Sequence, residues 1–103
     1  MSQNSERTTI HADPDLKELI PEFLRNRHND IMVIHDAVIQ CNFETVRILG
    51  HSMKGSGGGY GFDTISDIGL AIEQAAKNKD PEEIKKQTTK LAIYLDNIDV
   101  VYR

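Results

Sequence analysis

The sequence predicts an all-α fold, an antiparallel up-down-up-down four-helix bundle with a short extra N-terminal helix. Three observations carry this: helix-start signals, apolar residues stepping by three and four, and connections short enough to force neighbouring helices to turn back on one another. Asp13-Pro14 pairs an N-cap with proline at the first helical position, opening a short helix over residues 14 to 20 that Pro21 breaks. Leu24, Ile31, Ile34, Val38 and Cys41 form the next apolar stripe. Asn42 is read as the cap of a helix from about Phe43 to Tyr60, and Asp63 as the cap of one whose stripe is Ile65, Ile68, Ile72 and Ala75. After the Lys77-Asn78-Lys79-Asp80 turn, Asp80-Pro81-Glu82-Glu83 starts the last helix with a capping-box carboxylate. Its stripe (Ile84, Thr88, Leu91, Leu95, Ile98, Tyr102) is near-heptad, so the β-prone run Asp99-Val100-Val101-Tyr102 reads as continuing helix. Residues 1–12 read as a flexible N-terminal tail and 13–103 as the bundle domain.

Composition bounds the function. A chain of 103 residues makes one domain with a single core and no second catalytic lobe. Its net charge of −4 argues against nucleic acid as a partner, since phosphate-backbone affinity needs a surplus of Lys and Arg. The single cysteine, Cys41, excludes an internal disulfide and is read as a small core residue. The polar start, Met1 to Arg7, carries neither signal peptide nor membrane span, so no membrane partner and a cytoplasmic location are expected. A monomer is the default, with Met32, Val33 or Ile39 as surface through which a second copy could pair.

The most informative segment is His51 to Phe62. At 100° per residue, Val46, Leu49, Gly50, Met53, Gly57 and Tyr60 fall in one sector of about 80°, read as the core face. Arg47, His51, Lys54, Gly55 and Gly58 fall in a second sector, roughly 130° away. His51 is therefore expected to point outward between two cations. An imidazole with an unperturbed pKa of ~6.5 is a competent nucleophile toward phosphorus, and adjacent cations favour its uncharged form. Lys54 is placed to pair with the oxygens of an attached phosphoryl group. Gly55 and Gly58 clear side chains from around His51, giving a partner surface close access. Glycine costs about 1 kcal/mol relative to alanine inside a helix, so five glycines between 55 and 61 call for compensation. Gly57 is assigned to core packing and Gly61 to ending the helix; Gly59 has no assigned role.

His51, Met53, Lys54, Gly55 and Gly61 together resemble the core motif of the histidine phosphotransfer (HPt) domain family. That motif has a hydrophobic residue, a lysine and two glycines at fixed steps after its histidine. Ser56, Gly57 and Tyr60 fit as well, and Ile65, Ile68, Gly69 and the Ile72-Glu73 pair look like the family's following helix. The likeness spans about residues 13 to 103, and the glycine density at 57 to 59 exceeds the family's usual small-residue run. The resemblance implies a phosphorelay intermediate of two-component signalling. His51 would accept phosphoryl through Nε2 from a receiver-domain aspartate and pass it to another receiver. It also implies that this chain is a carrier rather than an enzyme. Its partners would be receiver domains of response regulators or hybrid histidine kinases, supplying Mg²⁺ and most catalytic groups, so no cofactor is expected here.

Rival readings fit less well. His11, His28 and His35 read as surface residues, and His28 with His35 lacks a third metal ligand. A P-loop needs lysine directly after its last glycine, whereas Lys54 precedes the glycines. The dinucleotide fingerprint finds Tyr60 or Phe62 where its third glycine belongs. A histidine-kinase dimerisation fragment would carry an acidic residue after the histidine, where Ser52 stands. A receiver-binding adaptor that carries no phosphate is the alternative function, and an enzyme acting on a small phosphorylated molecule is a third.

Overall fold

The computed structural model describes residues 7–103, and the expectation for residues 1–6 lies outside them. The order is β1 (Thr8–Ala12), a 3₁₀ turn (Pro14–Leu16), α1 (Ile20–Ile39), α2 (Phe43–Gly59), α3 (Asp63–Lys77), α4 (Pro81–Asn97) and β2 (Ile98–Tyr102). Each helix packs on the next and α1 also packs on α4, closing a ring. Inside it lie Ile20, Ile34, Val46, Met53, Phe62, Ile65, Ile72, Ile84 and Leu91, all essentially inaccessible to solvent. Burying one such side chain stabilises the fold by about 1.5–3 kcal/mol, so the helical stripes dictate the ring. At the glycine-rich end of α2, Phe23 of α1 stacks on Tyr60 and Phe62, with centroids 4.4 and 5.7 Å apart.

The three connections between helices are built alike. In each, the residue after the C-cap adopts a left-handed conformation: Cys41 at φ 57°, Gly61 at φ 88° and Lys79 at φ 51°. Paired backbone hydrogen bonds close each turn, Asn42 N–H to Ala37 O (2.7 Å) and Cys41 N–H to Val38 O (2.9 Å) in the first. The second uses Phe62 N–H to Gly57 O and Gly61 N–H to Gly58 O, and the third Asp80 N–H to Ala75 O and Lys79 N–H to Ala76 O. These are Schellman caps. The residue completing each is also the N-cap of the next helix: Asn42, Phe62 and Asp80. Asn42 and Asp80 cap as expected, accepting from the Thr45 and Glu83 amides. Asp63 does not, because the Schellman closure puts Phe62 at the cap and Asp63 inside the first turn. Cys41 is exposed rather than in the core, for the same reason: a residue that reverses the chain after a helix leaves the helix's apolar face.

Both ends of the chain depart from expectation. The short first helix over 14 to 20 is a three-residue 3₁₀ turn capped by Asp13, and α1 begins at Ile20 with Pro21 in its first turn. Residues 8–12, assigned to the tail, form β1 and pair in parallel with β2, Thr8 opposite Ile98 and Ala12 opposite Tyr102. Asp99-Val100-Val101-Tyr102 is therefore strand, not the end of α4. Its β-branched and aromatic residues follow their strand propensity once a partner strand is present. Arg7 locks the pair, with Nε 2.9 Å from Asp99 Oδ2 and donations to the Ile98 and Asp96 carbonyls.

The closest helix contact is α2 against α3. A methyl group at residue 69 would sit 2.5 Å from the Lys54 amide nitrogen and 2.8 Å from Gly50 O. One at residue 50 would sit 2.7 Å from the Glu73 amide nitrogen and 2.9 Å from Gly69 O. Farther along, a methyl at residue 57 would meet Ser66 N at 2.6 Å, and Ser66 Oγ donates to Lys54 O at 2.6 Å. The backbones touch, and no side chain fits between them. Gly69→Ala is therefore expected to lower stability in urea unfolding by about 1–3 kcal/mol through overpacking. Cys41→Gly, relieving a left-handed non-glycine residue, is expected to raise it by up to about 1–2 kcal/mol. A neutral Gly69→Ala would contradict the close approach.

Candidate functional site

The facing of α2 follows the angular reading. Val46, Gly50, Met53 and Gly57 are buried, Leu49 and Tyr60 are half-buried, and His51, Gly55 and Gly58 are exposed. The His51 side chain is 63% exposed, so its ring is reachable from solution. Methyl groups at residues 55, 58 and 59 would meet nothing within 4 Å, leaving open surface beyond the histidine. Gly59, which had no assigned role, belongs to this open run.

The residue that organises the site comes from α3. Glu73 lies on the same helix as the buried residues Ile65, Ile68, Gly69, Ile72 and Ala76, and its side chain is only 6% exposed. Its Oε2 is 3.1 Å from His51 Nδ1. Its Oε1 is 3.2 Å from Lys54 Nζ, an ion pair without an aligned hydrogen bond, and Lys77 Nζ approaches Oε2 at 3.9 Å. Burial pushes the Glu73 carboxyl up, but the Lys54 ammonium beside it and the hydrogen bond with His51 outweigh that and hold the group below its ordinary value. An ionised carboxylate only accepts hydrogen bonds, so Nδ1 of His51 carries the proton in this contact. In the neutral ring the lone pair is then on Nε2, the nitrogen that Glu73 does not hold.

The cations are arranged differently from the sequence reading. Arg47 does not flank the imidazole as a free charge. Its Nε and Nη2 both donate to the Glu44 carboxylate three residues earlier, at 3.0 and 2.5 Å. Lys54 is beside the site but engaged with Glu73. What His51 touches is an anion. The sequence signal for Glu73 was a carboxylate one turn after Gly69 on an apolar helix face, where a charge persists only if it is paired. Of the other histidines, His35 bonds Thr88 Oγ1 through Nε2 at 3.2 Å, and His11 and His28 are exposed.

Comparisons with protein-family models, curated proteins and solved structures return no match. Among the described residues, no group of three or more His, Cys, Asp or Glu side chains is placed to hold a metal ion. No helix there is long and apolar enough to cross a membrane.

The depressed Glu73 pKa sets a pH signature. Such a carboxylate contributes stability above the ordinary glutamate value of ~4.3 and loses it as pH falls through the lower folded value. The gap in urea midpoint between the native protein and Glu73→Gln is therefore expected to shrink between about pH 7 and pH 3. A constant gap would contradict the pairing.

Proposed function

We propose that this protein is a phosphoryl carrier of the histidine phosphotransfer type, its four helices running up-down-up-down and His51 shuttling phosphoryl between receiver-domain aspartates. The observation that carries this reading is the exposed imidazole, bound at Nδ1 to a buried carboxylate and surrounded on α2 by open glycine surface. The ring is held by a single side chain, at Nδ1.

The chemistry follows from that geometry. The Nε2 lone pair attacks phosphorus of the partner's aspartyl phosphate. The Nε2–P bond forms while the P–O bond to the aspartate breaks, and the aspartate carboxylate leaves with the electron pair. The ring, still protonated at Nδ1, becomes cationic as the bond forms. Glu73 Oε2, 3.1 Å from Nδ1, offsets that charge without reorganising. Lys54, half-exposed and ion-paired with Glu73 Oε1 one turn along α2 from His51, is the cation that would pair with the new phosphoryl oxygens. The in-line geometry demanded by phosphoryl transfer comes from docking of the receiver, and in this reading the metal belongs to the receiver.

The test is incubation with phosphorylated receiver domains of the source organism. An acid-labile, base-stable phosphate is expected on the native protein and none on His51→Gln. Glu73→Gln is expected to slow transfer by about 10–100-fold, the usual scale for losing a partner that orients a reactive histidine. Lys54→Ala is expected to slow transfer or shorten phosphohistidine lifetime with the fold retained. Receivers that bind the native and His51→Gln proteins equally and label neither would establish the adaptor reading instead.

A further inference from the structure

A cleft of about 540 Å³ opens where the start of α2 meets the end of α3, lined among others by Arg47, Lys77 and Lys79 with Glu44 as its only carboxylate. It adjoins the His51 site on both helices. Arg47 lies one turn before His51, and Lys77 lies one turn after Glu73, its Nζ 3.9 Å from the oxygen that meets His51. Lys54 adds a fourth cation at the same site. Four cations thus meet two carboxylates, one of them buried, in a chain whose net charge is −4. The first-turn amides of α2 that the Asn42 side chain does not cap add to the positive potential. Among the described residues Lys79 forms no ion pair, and its left-handed backbone sets it in an exposed turn.

We propose that this cleft docks an acidic segment of the protein that exchanges phosphoryl with His51. The inference rests on the carrier reading and adds the chemistry of the partner's contact surface. Charge complementarity is the argument: a basic concavity of an acidic protein adjoins its exposed nucleophile. Such a surface accelerates encounter and fixes the orientation in which the partner meets the ring.

The experiment measures the rate of transfer from phosphorylated receiver to His51 as a function of salt. The native protein is compared with Lys79→Asn and with Lys77→Gln/Lys79→Asn. Asparagine tolerates the left-handed backbone at 79, and far-UV circular dichroism checks the fold. Below about 0.05 M salt the double variant is expected to transfer about tenfold more slowly and Lys79→Asn to fall between, all three converging above about 0.5 M as screening sets in. Equal rates at low salt, or a deficit that persists at high salt, overturn the docking proposal while leaving the carrier reading intact. Saturable binding of inorganic phosphate at the cleft, with transfer indifferent to both substitutions, assigns it to a small anion and also overturns the proposal. If no receiver labels the native protein, the carrier reading falls and the docking site falls with it.

Discussion

The backbone contact between α2 and α3 at Gly50 and Gly69 is the constraint on which the rest of the site depends. Two helices kept apart by side chains at these positions could not bring a buried glutamate to a histidine on an outward face. Here Glu73, one turn beyond Gly69, reaches His51 at 3.1 Å and Lys54 at 3.2 Å. At 3.1 Å the carboxylate–imidazole contact lies near the long end of the usual 2.7–3.2 Å range for N–H···O, so a wider helix spacing would take it out of hydrogen-bond range. The glycines on the outer face leave open surface beside His51. Those on the inner face set the Glu73–His51 contact.

The second dependence is electrostatic. A carboxylate removed from water is costly unless paired, and Glu73 is paired three times over, with His51, Lys54 and Lys77. That arrangement couples an exposed imidazole to the interior. His51 itself is mostly in solvent, yet one of its nitrogens is held by a residue fixed in the helix packing. Under the proposed chemistry the same carboxylate faces the ring as it turns cationic, so a group retained for packing contributes to the transfer step. The Lys54 contact is an ion pair without an aligned hydrogen bond, which leaves that lysine with donors to offer.

Much of this was legible in the sequence because helical periodicity is local. Four helices, two of their N-caps, the ending of α2 at Gly61 and the outward facing of His51, Gly55 and Gly58 all follow from residues within a few turns of each other. What escaped was non-local or reversed a local preference. The β1–β2 pair joins segments some ninety residues apart, and nothing in either strand announces its partner. Cys41 continues the apolar stripe of α1 by number, but the Schellman cap turns it outward. The pairing of Arg47 with Glu44 competes with any role beside His51, and helical angle alone does not decide between them. Glu73 stood in plain view on α3, but its meaning depends on the register of α3 against α2, which is set by two glycines on different helices.

The most direct measurement is the nitrogen to which phosphorus is bonded. With ¹⁵N-labelled histidine and the protein phosphorylated by a receiver domain, ³¹P–¹⁵N coupling is expected to a single nitrogen, Nε2 of His51, with Nδ1 protonated and hydrogen-bonded. Phosphorus on Nδ1, on another residue or on no histidine would contradict a carrier in which Glu73 holds the inner nitrogen and leaves the outer one to react.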